Sequence, residues 1–298
     1  MIPTKGFFRG FGITVMLLIA LLVCAIIAFV VWWKCTTLAS KRFMAERGYT
    51  YNPKDVLSVW HVYNEIYRDE DYDDVLQRLP PRPTIVDVGG NIGLFVSRCT
   101  DVCKNPTVYS FEPVPEIYQY LLCNSKKMAG DIHVFPVGLG AQDELTEIQY
   151  FPQASAMSTG CNDLDDKFKI GIQHQVKSIT KSPILQPILR SLFRLYITLF
   201  LVPKQVQIQI VPLRDMMAKI PGKIDLLKID CECYELDVLR GLTAEDFARI
   251  QTIFVEVENY RSNRSQEITQ LLQKHHFHVQ VGRCTNEAWC DITASRKS

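Results

Sequence analysis

Three short runs of this chain place carboxylates beside glycines or apolar residues in spacings that suit ligand chemistry. The first is Asp87-Val88-Gly89-Gly90-Asn91-Ile92-Gly93, between an apolar run and a segment of helical periodicity. Glycines at such a junction permit a tight turn and let a ligand approach the backbone and the helix N-terminus. An acid two residues before the first glycine can orient the loop and face a cationic amino-acid portion. A dinucleotide fingerprint needs glycines at i, i+2 and i+5. Counting from Gly89, the later positions hold Asn91 and Leu94, so a dinucleotide oxidoreductase is disfavoured. No Gly-Lys-Ser/Thr follows, which excludes a P-loop. The plain alternative is a turn that packs a helix.

The second run ends at Glu112, 25 residues beyond Asp87. In doubly wound sheets ligands sit at the carboxyl ends of strands. A carboxylate there can accept two hydrogen bonds from a ribose diol, or else simply stabilise a helix N-terminus. The third run holds Asp230, at the end of the apolar stretch 226–229, followed by Glu232. Glu256 stands in a similar stretch, Phe254-Val255-Glu256-Val257. Lys228, inside an apolar strand, is expected to pair with one of these acids. A metal could be held by Asp230 and Glu232, but two carboxylates alone are weak evidence, and no metal is expected. His275-His276-Phe277-His278 is read as capping a helix end rather than holding a metal.

The elements that must position these residues follow from periodicity. Apolar runs at 85–88, 107–111 and 132–135 read as strands, separated by helices at 92–103 and from Pro115 to about Met128. An extended piece spans 147–151. The sheet resumes at 206–211 and 224–229, with a short helix at 213–220, another at 234–240, and late strands at 253–257 and 278–281 around a helix at 265–275. Alternation of this kind defines an α/β domain with a parallel sheet.

Residues 85–95 (IVDVGGNIGLF), 109–113 (YSFEP) with Asn124, and 224–241 (IDLLKIDCECYELDVLRG) together resemble the FkbM family of S-adenosylmethionine-dependent methyltransferases. The resemblance covers roughly residues 84–282. It implies a class I methyltransferase fold, Rossmann-like and doubly wound, with a mostly parallel seven-stranded sheet. It implies S-adenosyl-L-methionine as cofactor and methylation of a hydroxyl. Carried over by position, Asp87, Gly89, Gly90, Asn91 and Gly93 would contact the methionine portion, and Glu112 the ribose. Lys228, Asp230, Glu232 and Glu235 match the family's third block, usually close to I-D-L-L-K-I-D-V-E-G-x-E. Here Cys231-Glu232-Cys233 replaces Val-Glu-Gly. A hydroxyl acceptor benefits from a base within hydrogen-bond reach, and Asp230, then Glu232, then Glu256 are the catalytic candidates. If Cys233 marks a decayed site, the alternative is a non-catalytic membrane scaffold or binding module.

Around this domain, 84–282, the chain divides further. Residues 10–33 carry no charge and would run about 36 Å as a helix, enough to span a bilayer. A transmembrane helix is expected there, and a small excess of basic residues after it favours a cytosolic catalytic domain. Residues 34–83 read as a connector and helical cap, and 283–298 as a C-terminal tail. An insertion at 152–205 has no acid between Asp166 and Asp215 and pairs basic residues with a broad apolar face. It suits either a membrane-interface helix or a lid on the sheet. The expected partners are a membrane lipid and a hydroxylated small-molecule, lipid or glycan acceptor.

Ten cysteines contain no Cys-x-x-Cys pair, which disfavours zinc. Cys284 and Cys290 could bridge a hairpin. With 33 basic and 32 acidic residues the net charge is +1, so no nucleic-acid partner is expected.

Overall fold

The computed structural model describes residues 37–158, 160, 180–258, 263–285 and 289–296, and isolated positions within 23–34 and 169–177. Its central sheet has seven strands: β1 (Thr84–Val88), β2 (Thr107–Phe111), β3 (Asp131–Phe135), β7 (Ile224–Ile229), β8 (Ile250–Glu258), β9 (His278–Thr285) and β10 (Trp289–Ser295). Their order is β3-β2-β1-β7-β8-β10-β9. The first five are parallel, and β10 runs antiparallel to both neighbours. β7 is buried at all six positions, as a central parallel strand covered on both faces must be.

The chain steps outward from β1 to β2 and β3, then returns to place β7 on the other side of β1. That reversal makes a crevice at the carboxyl ends of β1 and β7. Strand alternation then sorts the side chains. Val86, Val88, Leu227 and Ile229 face one core, with Leu236, Leu239 and Ile268. Ile85, Val108, Leu226 and Phe254 face the other. Two residues further along, the period of two brings Asp87, Ser110, Lys228 and Glu256 to this second face.

Residues 34–83 are more than a connector. Met44, Tyr49, Val59, Ile66, Tyr72 and Leu76 share the second core with the sheet. Helix α1 (Val56–Tyr63) runs into a π-helical turn, Asn64–Arg68, and then α2 (Asp73–Leu76). Tyr72 packs between Phe95 and Phe254, with ring centroids 5.0 Å from each. The cap thereby sits over the sheet where the acids emerge.

Several expectations are corrected. Residues 206–211 do not extend the main sheet. They belong to β6 (Lys204–Pro212), which joins β4 (Gly138–Gly140) and β5 (Glu144–Tyr150) in a separate three-stranded sheet. The expected tail at 283–298 contains β10, which alternates buried Cys290, Ile292 and Ala294 with half-buried neighbours and inserts between β8 and β9. Cys284 and Cys290 are paired across β9 and β10 and form the expected disulfide.

The single-pass membrane reading also falls. Among the described residues no helix is long and apolar enough to cross a membrane. Most of 10–33 lies outside the described residues. The helical stretch at 37–46 carries Lys41, Arg42 and Glu46 and buries Met44 in the protein core. After α3 (Leu94–Val102) and α4 (Pro115–Ser125) of the main domain, the insertion contributes α5 (Leu185–Phe200), whose Leu189 packs with Ile172 and Val176. Much of 159–179 lies outside the described residues.

Candidate active site

The glycine loop between β1 and α3 is shaped by backbone geometry that side chains would spoil. Gly89 has φ +86°, and a Cβ there would collide with the carbonyl oxygen of Asp230. A Cβ on Gly90 would collide with Ser110 Oγ. Both glycine N–H groups donate to the Phe111 carbonyl, at 3.0 and 2.9 Å. Asn91, with φ +46°, is held by a self-made turn in which its Oδ1 accepts from the Ile92 N–H at 2.7 Å. Gly93, φ +93°, is the N-cap of α3.

Glu112 sits where β2 ends. One carboxylate oxygen accepts from the Asn91 N–H and the other from the Val114 N–H, each at 2.9 Å. Burial nevertheless pushes its carboxyl up to about 7, against those two backbone donors. Each oxygen retains a further acceptor direction.

Behind the loop, Asp87 is 0 % exposed. It accepts from Ser110 Oγ at 2.6 Å and lies 3.2 Å from Lys228 Nζ. Lys228 reaches Asp230 at the same 3.2 Å and donates to the Gly89 carbonyl at 3.3 Å. Burial alone would lower the Lys228 pKa, but Asp230 and Asp87 more than offset it and raise the group. The expected pairing of Lys228 with neighbouring acids is therefore present, and it ties β1, the glycine loop and β7 together.

These parts wall one cleft enclosing about 1160 Å³ with its mouth, lined among others by Gly89, Gly90, Asn91, Glu112, Asp230 and Glu232. Glu256 and Glu65 line it too. Asp87 and Gly93 do not stand in its wall. Asp87 is held by Ser110 and Lys228 behind the loop, and Gly93 starts α3.

Glu65 is the residue that sequence reasoning missed. It comes from the π-helical turn of the cap, and its Oε1 accepts from Tyr72 OH at 3.0 Å. Its carboxylate, that of Asp230 and that of Glu256 offer oxygens within 4.8 Å of one another. Burial, then the Asp230 charge, raises the Glu65 carboxyl to about 8. Burial, then Asp230 and Glu65, holds Glu256 well above its ordinary value. No local pattern in 56–67 announces this role, because the partners lie more than 150 residues away in sequence.

The loop after Asp230 explains the departure at Cys233. Glu232 and Cys233 have φ +56° and +88°, a left-handed conformation that favours glycine. Cys233 adopts it with its N–H donating to Glu235 Oε1 at 2.7 Å. Its sulfur is disulfide-bonded, so the thiol that replaces glycine serves as a covalent tie. The histidine run ends α9 (Arg264–Lys274), and the His275 ring stacks on Phe247 at 4.0 Å.

S-adenosylmethionine fits the residues present. The glycine loop leaves room that a Cβ would fill, and a buried carboxylate stands at the next strand end. The fold and this cleft define an S-adenosylmethionine-dependent methyltransferase of class I architecture. Residues 87–279 match the methyltransferase FkbM domain family, to which the chain belongs. "Methyltransferase 1" of Beauveria bassiana (strain ARSEF 2860) is 29% identical over 235 residues, covering 78% of this chain and 86% of that protein. The 31-O-demethyl-FK506 methyltransferase FkbM of Streptomyces tacrolimicus is 26% identical over 219 residues, 73% of this chain and 81% of its own. Among solved structures, magnesium protoporphyrin IX methyltransferase (ChlM) from Synechocystis PCC 6803 with bound SAM aligns at TM-score 0.40 and 9% identity. That alignment covers 91% of this chain and 97% of the other, a likeness too distant to carry the assignment.

Proposed function

We propose that the protein methylates a hydroxyl oxygen, with Asp230 as the base that receives the hydroxyl proton. The supporting observation is the position of Asp230, in the cleft wall and directly against the glycine loop through the Gly89 contact. The name of the Streptomyces tacrolimicus relative, 31-O-demethyl-FK506 methyltransferase, agrees with an oxygen acceptor.

S-adenosylmethionine supplies, when bound, a methyl group made electrophilic by the sulfonium. Glu112 would accept hydrogen bonds from the ribose hydroxyls, and Gly89 and Gly90 would admit the methionine portion. Transfer of that methyl to the acceptor oxygen would leave the carbon–sulfur electron pair on sulfur. Asp230 takes the hydroxyl proton, and Lys228, 3.2 Å away, steadies its charge before the transfer. The walls of the cleft limit water around the reacting atoms, and most of the rate comes from such positioning. Glu232 and Glu256 flank the acceptor side of the same cleft. The acceptor is a hydroxylated metabolite, lipid or glycan.

The test incubates the full chain with methyl-labelled S-adenosylmethionine and a panel of hydroxylated metabolites, lipids and glycans. The expected result is label on an acceptor oxygen, located by mass spectrometry, and its loss by at least a hundredfold in Asp230→Asn. Label found only on nitrogen or sulfur would refute oxygen transfer.

A further inference from the structure

We propose that Glu65, Asp230 and Glu256 bind a divalent cation of the hard, oxygen-seeking kind, Mg²⁺ or Mn²⁺, on the acceptor side of the methyltransferase cleft. This rests on the reading of that cleft as the active site. The three carboxylates arrive from three separate elements: the π-helical turn of the cap, the end of β7 and the middle of β8. Their oxygens lie within 4.8 Å of one another, a spacing open enough for one ion held by three carboxylates. An all-oxygen donor set selects Mg²⁺ or Mn²⁺ over zinc or copper.

Glu256 gives an independent sign of a ligand. The residue is half-buried and lines the cleft, and burial with the neighbouring acids holds its carboxyl well above the ordinary value. Among the described residues it accepts no hydrogen bond and enters no ion pair. The charges acting on it most strongly are Asp230, Glu65 and Asp291, opposed by Lys228. Lys228 is already held by Asp87 and Asp230 at 3.2 Å each. A carboxylate in such surroundings is costly unless a proton or a cation neutralises it. A divalent cation shared with Glu65 and Asp230 offsets two of their three charges.

The set differs from the pair Asp230 and Glu232 that adjacency in sequence brings to mind. Glu232 is outside the cluster, and the cap supplies the third oxygen instead. Three protein carboxylates leave open coordination positions facing the cleft. An acceptor oxygen can occupy one of them and be held there for transfer.

The probe is Mn²⁺ titrated into the metal-stripped full chain and read by the loss of its free electron paramagnetic resonance signal. S-adenosylhomocysteine binding is measured by calorimetry on the same samples. The expected result is one Mn²⁺ per chain, displaced by Mg²⁺. Glu65→Gln and Glu256→Gln should each weaken Mn²⁺ at least tenfold. Both replacements remove buried like-charge repulsion, so the variants should stay folded and keep S-adenosylhomocysteine. No saturable Mn²⁺ binding by the folded wild type overturns the proposal, as does equal binding by both variants. The Mn²⁺ titration reads the cation site whether or not S-adenosylhomocysteine binds, so the two readings fail separately.

Discussion

At the residue scale, Glu112 is the group whose chemistry reports most directly on the cofactor. Its carboxyl is pushed up to about 7 from an ordinary 4.5. If the ionised form receives the ribose hydroxyls, S-adenosylhomocysteine should bind roughly tenfold more weakly at pH 6 than at pH 8. Glu112→Gln should flatten that dependence, and calorimetry across pH checks both. Folding stability of the free protein carries the opposite sign. A carboxyl raised in the folded state contributes stability fully present below its unfolded pKa and lost as pH rises through about 7. Gly89→Ala makes a second residue-scale prediction. It forces a left-handed alanine, costing about 1–2 kcal/mol, and drives its Cβ into the Asp230 carbonyl. Urea unfolding should show the loss, and cofactor affinity should fall with it. The placement of the glycines and Glu112 at strand ends was legible because it depends on local spacing. The burial of Asp87 behind the loop was not, because it is set by Ser110 and Lys228 on neighbouring strands.

At the element scale, the cap, the glycine loop and α4 are joined through one side chain. Asn124, 0 % exposed, accepts from the Thr50 N–H at 2.7 Å and donates to the Thr50 and Ile92 carbonyls, each at 2.9 Å. Asn124→Ala orphans three backbone groups and should cost about 2–4 kcal/mol in urea unfolding. A change within about 0.5 kcal/mol would show that water replaces those bonds. Thr243→Ala removes the capping box of α8 (Ala244–Arg249) and should cost about 1 kcal/mol by the same measurement.

The mostly apolar, buried strands β1, β2 and β7 were readable from sequence. The three-stranded sheet was not. β5 buries only Ile148 and Tyr150 of its seven residues, and its partner β6 lies beyond an insertion of more than 50 residues. β10 was missed because Trp289-Cys290-Asp291-Ile292-Thr293-Ala294-Ser295 mixes polarity and follows the last helix, where a tail is the simpler reading.

At the scale of the whole molecule, the family's sheet and the N-terminal cap wall one cleft. The family match begins at residue 87, whereas Glu65 and Tyr72, which close the acid side of the cleft, precede it. The cap could not be assigned this role from sequence, since its approach to β7 and β8 is a product of core packing around Tyr72. The account stands on the claim that the cleft over the glycine loop holds S-adenosylmethionine. Calorimetry of S-adenosylhomocysteine with the full chain at pH 8 tests it most directly. The account predicts one site per chain, weakened at least tenfold in Glu112→Gln. A folded wild-type protein that binds no S-adenosylhomocysteine, or a Glu112→Gln variant that binds it as well as wild type, would contradict the account.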